Sequence, residues 1–191
     1  MRMTVEAEYF GGAVKVIGLE SYEDARGFFM EVFRADQFAA LGLPVSFPQD
    51  SHSGSVRGVL RGMHFQWDPP QGKLIRITRG SVYLAIVDIR LGSPTAGTSI
   101  GLELSARERR HIWAPPGFAN GFVVLSDEAE VQYKHTTLYN HAGESNIRWN
   151  DPELAIPWPV AEPLVSTRDA NAPTLAQWLS SPAARNLPYS G

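Results

Sequence analysis

Apolar residues in this chain come in short runs, broken at close intervals by Gly, Pro and charged residues. Ala13-Val14-Lys15-Val16-Ile17-Gly18-Leu19 predicts a strand. Asp24-Ala25-Arg26-Gly27 is turn chemistry. The run Phe28-Phe29-Met30-Glu31-Val32-Phe33-Arg34 then predicts a second strand, with Phe29, Glu31 and Phe33 on one face. Residues 35–42 predict a short helix, closed by Gly42 and Pro44, and 47–53 read as polar strand or loop. From 58 to 139 the pattern repeats, with further strands expected at 73–78, 82–89, 100–104, 111–114, 121–125 and 129–135. Pro115-Pro116-Gly117-Phe118-Ala119-Asn120-Gly121-Phe122 reads as a tight corner. Many short strands separated by turn signals predict an all-β sandwich or barrel with short peripheral helices. After Tyr139 the sequence turns rich in Pro and Trp; 174–179 predict a last helix and 181–191 a loosely held tail. No repeat, linker or low-complexity tract interrupts the pattern. The expectation is one domain over 1–191, with a core at about 13–140 and a C-terminal extension at about 141–191.

Composition narrows the function classes. With 43% hydrophobic and 19% charged residues this is an ordinary globular composition, and a net charge of −3 argues against a nucleic-acid partner. The absence of cysteine excludes thiol nucleophiles, thiolate metal sites and disulfide scaffolds, and fits a reducing compartment. Met1-Arg2-Met3-Thr4-Val5-Glu6 shows no basic segment leading into an apolar run, and no run is long enough to span a bilayer. A cytoplasmic protein with no membrane partner is expected.

The stretch from Gly58 to Lys73 concentrates candidate chemistry. A strand-like run carries Arg61 and His64, a Pro69-Pro70-Gln71-Gly72 turn follows, and then Lys73. Such a turn lets two adjacent strands present His64 and Lys73 to one cavity. A histidine there is either a satisfied strand residue or a general base, and a nearby cation stabilises the anion left when a base takes a carbon-bound proton. Metal binding is the rival use, but position 66, where a second ligand on the strand belongs, is Gln66, so no metal is expected. Tyr133 and Tyr139 flank Lys134-His135-Thr136-Thr137-Leu138; they either pack or offer a phenolic proton. Asp169 is either a turn or cap residue or the orienter of a histidine. Arg26, Phe29 and Glu31 read equally as surface charge, core ring and edge charge. Gln49, Ser51 and Ser53 read as ordinary loop polars.

Taken together, the ordered stretches resemble the dTDP-4-dehydrorhamnose 3,5-epimerase family of the cupin superfamily. They are Asp24-Ala25-Arg26-Gly27-Phe28-Phe29-Met30-Glu31, Val59-Leu60-Arg61-Gly62-Met63-His64-Phe65-Gln66, Pro70-Gln71-Gly72-Lys73, Val87-Asp88-Ile89-Arg90-Leu91-Gly92-Ser93-Pro94-Thr95, Pro116-Gly117-Phe118-Ala119, Trp149-Asn150-Asp151-Pro152 and Ser166-Thr167-Arg168-Asp169. The resemblance implies a cupin-type jelly roll and a homodimer that works without metal or other cofactor on a nucleotide-linked 4-keto-6-deoxy sugar. By family position, His64 removes the protons at C-3 and C-5, Asp169 supports it, Lys73 stabilises the enolate oxygen and Tyr133 returns a proton from the opposite face. Arg61, Gln49, Glu144 and Arg168 fall where the family holds nucleotide, diphosphate or sugar, and Tyr139 where a ring packs on the substrate. Arg26, Phe29 and Glu31 fall where one subunit reaches into the other's nucleotide pocket.

Three positions depart from that pattern: Asn120 where the family has His, Leu84 where it has Asp, and Ser51 where it has Asn. Asn120 hydrogen-bonds but does not titrate, and Leu84 does neither. If Leu84 and Asn120 sit together, their joint change implies a remodelled pocket. A single-carbon epimerase, an epimerase for another nucleotide sugar such as a GDP-linked one, a non-catalytic sugar-nucleotide-binding cupin and a metal-dependent cupin remain as alternatives.

Overall fold

Strands of period two, too short to bury themselves alone, pair here into two antiparallel sheets that close over one apolar layer. The computed structural model describes residues 1–190. Its strands are β1 (Met3–Tyr9), β2 (Val14–Leu19), β3 (Ser21–Asp24), β4 (Gly27–Met30), β5 (Gln49–Val56), β6 (Leu60–Gln66), β7 (Lys73–Arg79), β8 (Ser81–Asp88), β9 (Ser99–Ser105), β10 (Arg110–Ala114), β11 (Phe118–Val124), β12 (Glu128–His135) and β13 (Glu144–Asn146). The helices are α1 (Ala35–Ala40), α2 (Thr167–Ala170) and α3 (Leu175–Leu179). One sheet runs β1-β2-β10-β7-β12-β5, the other β13-β6-β11-β8-β9, and β3 and β4 form a separate hairpin. This is the all-β jelly-roll sandwich expected.

Three apolar layers hold it together. Val16, Ile75, Ile86, Ile112, Phe122 and Val131 meet between the sheets. On the outside of the five-stranded sheet, Met63, Phe65 and Val87 pack under Ile147, Leu154 and Trp178 from the C-terminal segment. On the outside of the six-stranded sheet, Ile17, Leu74 and Trp113 pack under Phe38 and Leu43 from α1 and the loop after it.

Several expectations change. The strand expected over 28–34 ends at Met30; Phe33 turns inward onto Phe38 instead, and Phe29 is 66% exposed. The corner expected over 115–122 is confined to 115–117, since β11 begins at Phe118 and is buried throughout. Within the segment 47–53 a full strand begins at Gln49, because β5 pairs with β12 along its whole length. The first strand, β1, carries Glu6 and Glu8 and showed no apolar run. The tail is not loosely held through 190: Ala184 and Leu187 are 0% and 3% exposed, and Tyr189 N–H donates to the Leu91 carbonyl at 3.0 Å. Gly191 lies outside the described residues.

Candidate active site

His64 and Arg61 sit three apart on β6, so strict alternation would send them to opposite faces. The pairing with β11 is irregular here: His64 faces Asn120, while Arg61 faces Phe122. Three residues of β6 thus span two of β11, and this bulge turns both side chains into the same cavity. Gly62 permits it. Its φ is +140°, and a Cβ there would lie 2.4 Å from Gly121 Cα.

The cavity, of about 250 Å³, opens between the sheets. His64 Nε2 lies 2.7 Å from Asp169 Oδ1. Asp169 is buried in α2, whose Ser166 cap accepts from the Asp169 N–H at 3.1 Å. Burial pushes the Asp169 carboxyl up. Hydrogen bonds from His64, the Gly62 N–H and Asn146 outweigh that and hold it below the ordinary carboxylate range. An ionised carboxylate only accepts, so His64 Nε2 carries the hydrogen and Nδ1 is the free lone pair.

The facing wall belongs to the six-stranded sheet. Lys73 on β7 and Tyr133 on β12 line the cavity. Their strands are not sheet neighbours of β6, as the intervening turn suggested; the turn carries the chain from one sheet to the other, so Lys73 meets His64 across the sandwich. Lys73 Nζ reaches the His64 carbonyl at 3.4 Å, and Asn120 Nδ2 donates to the same carbonyl at 3.1 Å. Burial brings the Lys73 ammonium down to about 8; Glu144 opposes this and Arg168 adds to it. Burial pushes the Tyr133 phenol up, against the Ser53 hydroxyl and the Arg61 charge.

At the mouth, Glu144 Oε1 accepts from Arg168 at 2.6 Å and from the Tyr139 hydroxyl at 2.7 Å. Gln49 Oε1 accepts from the Tyr139 N–H at 2.7 Å. Arg61 Nε donates to Ser55 Oγ at 2.9 Å, and among the described residues no carboxylate pairs with its guanidinium. Gln66 clamps the loop that bears Tyr139: its Nε2 donates to the Pro69 and Leu138 carbonyls, and its Oε1 accepts from the Asn140 N–H. Among the described residues no group of three His, Cys, Asp or Glu could hold a metal ion.

The model of the dTDP-4-dehydrorhamnose 3,5-epimerases matches residues 12–177. The chain belongs to that family. A dTDP-4-dehydrorhamnose 3,5-epimerase of Shigella flexneri is 50% identical over 152 residues, 78% of this chain and 84% of its own length. A dTDP-4-dehydrorhamnose 3-epimerase of Streptomyces niveus is 42% identical over 160 residues, 83% of this chain and 77% of its own. The crystal structure of the dTDP-6-deoxy-D-glucose-3,5-epimerase of Legionella pneumophila, in complex with dTDP-4-keto-L-rhamnose, superposes with a TM-score of 0.91 at 41% identity, covering 100% of both chains.

Most residues assigned from this family's pattern gather at the cavity or bond to its lining; three do not. Arg26 and Phe29 stand on the β3–β4 hairpin, the Arg26 side chain 90% exposed and tied to Asp24. Glu31 lies beyond β4, with Arg34 at 3.5 Å. Leu84 is in the inter-sheet core, not on the cavity wall. It pairs with Phe122, and Ile86 pairs with Asn120, so Leu84 and Asn120 share one face of adjoining strands. Ser51 lies 3.1 Å from His135 Nε2. Four further residues went unassigned: His135, Gln71, Asn146 and Ser53. The period-two series Gln49, Ser51, Ser53, Ser55 was the signal for Ser53; Asn146 and Gln71 had none.

Proposed function

We propose that this chain inverts C-3 and C-5 of dTDP-4-dehydro-6-deoxy-D-glucose to give dTDP-4-dehydro-L-rhamnose. The 4-keto group makes the neighbouring C–H bonds acidic. His64 Nδ1 takes the proton, the C–H electron pair becomes the enolate C=C, and charge collects on the ketone oxygen. Lys73 faces that charge, as an electrostatic stabiliser in a water-poor site should. Tyr133 then gives its phenolic proton to the carbon from the other side, and the ketone re-forms with inverted configuration. Arg61, with no carboxylate partner, suits the diphosphate; Gln49, Glu144 and Arg168 hold the sugar nucleotide at the mouth, with Tyr139 packed on it. The observation that carries this reading is the His64–Asp169 pair at 2.7 Å, facing Lys73 and Tyr133 across one cavity.

The same reading makes the protein a homodimer. The β3–β4 hairpin leaves Tyr22, Phe28 and Phe29 exposed at 64%, 59% and 66%. A second copy would cover those rings and receive Arg26, Phe29 and Glu31 at its nucleotide site.

Incubation with the dTDP-4-keto sugar in deuterated water tests the proposal. Deuterium at both C-3 and C-5, with no added metal or cofactor, is expected; no exchange at either carbon would overturn it. One observation favours a second reading. Asn120, which donates to the His64 carbonyl, stands where the family pattern has His, and a relative 42% identical to this chain is a 3-epimerase. Deuterium at C-3 alone would select that reading.

A further inference from the structure

The inner face of β5 is a stripe of polar side chains: Gln49, Ser51, Ser53 and Ser55 at alternate positions. Three of them are committed. Ser55 Oγ accepts from Arg61 Nε at 2.9 Å, and Gln49 Nε2 donates to Ser51 Oγ at 3.3 Å. The direction of the Ser51–His135 bond follows from the next residue along. Gln71 Nε2 donates to the Thr137 carbonyl at 2.9 Å, so its Oε1 faces His135 Nδ1 and must accept from it. His135 Nε2 is then bare, and the Ser51 hydroxyl donates to it.

Ser53 is different. Its Oγ is buried, lines the cavity and has no hydrogen-bond partner. Buried hydroxyls are nearly always paired, so an orphan one calls for a use. Ser53 pairs with Val131, and Tyr133 stands two residues along β12 on the same inner face, opposite Ser51. The Ser53 hydroxyl lies against the phenol and favours its ionised form. Ser51 cannot serve the phenol, because its proton already points to His135.

We propose that Ser53 is a positioning residue for Tyr133, donating its O–H to the phenolate that forms when Tyr133 protonates the sugar carbon. The inference rests on the reading of Tyr133 as the acid. In that step the phenolic O–H breaks, a C–H bond forms and the negative charge passes from the enolate to the Tyr133 oxygen. Ser53 keeps its own proton throughout. Arg61 adds field at the same oxygen but spends its Nε on Ser55.

The test compares Ser53→Thr with Ser53→Val, which match in size and differ in the hydroxyl, alongside Ser53→Ala, Tyr133→Phe and the Ser53→Ala/Tyr133→Phe double variant. Each is assayed with the dTDP-4-keto sugar in deuterated water for inverted product and for exchange. Loss of a hydrogen bond to a charged group corresponds to a fall in kcat of roughly 10- to 100-fold in the Val and Ala variants. KM should move little, exchange at the carbon His64 deprotonates should persist, and Thr should retain most of the rate. On the Tyr133→Phe background the Ser53→Ala change should cost nothing further, which a purely structural role would not produce. Equal rates for Thr and Val, or an equal loss with and without the Tyr133 hydroxyl, would overturn the proposal. Full inversion by Tyr133→Phe would instead remove the acid role from Tyr133, and Ser53's role with it. Slow Tyr133→Phe beside a fully active Ser53→Val would overturn the Ser53 assignment alone.

Discussion

The two walls of the cavity are finished to different degrees. On the five-stranded side His64, the proposed base, is locked in advance. Asp169 accepts from His64, Asn146 and the Gly62 N–H, and the His64 carbonyl is held by Asn120 and Lys73. On the six-stranded side a phenol and a hydroxyl face the cavity with less of their hydrogen bonding used: Ser53 Oγ has no partner, and Lys73 is held by burial in a state close to losing its charge. A base must show the correct lone pair before the substrate arrives, so its tautomer is fixed by structure. Groups that answer a charge created during the reaction do better with capacity in reserve. The difference is the one expected between a wall that removes a proton and a wall that receives the consequences.

Breaking the finished wall should have the largest effect. His64→Ala removes the lone pair, so both exchange and inversion should fall by roughly 100- to 10,000-fold or more; exchange near the wild-type rate would end the assignment. Asp169→Asn comes next. The amide can donate to His64 Nε2, which would turn the lone pair away from the cavity, and a loss of roughly 100- to 1,000-fold in kcat is expected. The near-isosteric change leaves no unpaired charge but gives up the contribution of the ionised carboxylate, so melting at neutral pH should fall modestly. The acid side should differ. Asp169 has a depressed pKa in the fold, so its contribution to stability is present above the ordinary carboxylate value and is lost as pH falls through the folded one. Wild type should therefore lose more stability than Asp169→Asn on acidification, and parallel acid melting curves would count against an ionised carboxylate at Asp169.

The finished wall was also the more legible one. His64, Arg61 and the Gly-rich context of β6 stand within a few residues of one another, and Asp169 was a candidate helix cap or histidine orienter, although Ser166 takes the cap position. What alternation alone got wrong was the face of Arg61, since a bulge is a register event between two strands and leaves little trace in one of them. The opposite wall is assembled from β5, β7 and β12, distant in sequence, and the polar serines of β5 looked like loop because no apolar residue marks the strand's inner face. β1 was missed for a similar reason: charged Glu6 and Glu8 interrupt Val5, Ala7 and Tyr9 on an edge strand, so no apolar run forms. The packed tail was obscured because its anchors, Ala184 and Leu187, are a small residue and an isolated leucine in a stretch otherwise rich in Ser, Pro, Arg and Asn.

The unfinished wall offers a smaller, pH-dependent effect. In the proposed mechanism Lys73 must be charged to face the enolate, and burial brings its pKa down to about 8. Above that value kcat should fall about tenfold per pH unit as the cation is lost. Stability should move the other way. The unfolded chain keeps this proton up to the ordinary value of 10.5 while the folded one gives it up near 8. The unfolded state therefore binds more protons in that window, and the Lys73 contribution to stability rises with pH. Lys73→Met should be slow at every pH and lose the alkaline limb; a limb that survives in Lys73→Met belongs to another group.

The smallest effect should come from a residue that serves neither wall directly. Gln66 shares the strand and the face of His64, yet it reaches sideways to the loop at 137–140, with contacts of 3.1 Å to the Leu138 carbonyl and 2.9 Å from the Asn140 N–H. That loop carries Tyr139, which closes the mouth onto Gln49 and Glu144. Gln66→Met keeps the volume and removes the clamp. The catalytic walls are untouched, so kcat should stay near wild type, while a loosened mouth raises KM by about fivefold, the equivalent of one hydrogen bond of about 1 kcal/mol. A fall in kcat with KM unchanged would mean that Gln66 acts on His64 through β6, and the finished wall would then extend one residue further than its bonds to Asp169 indicate.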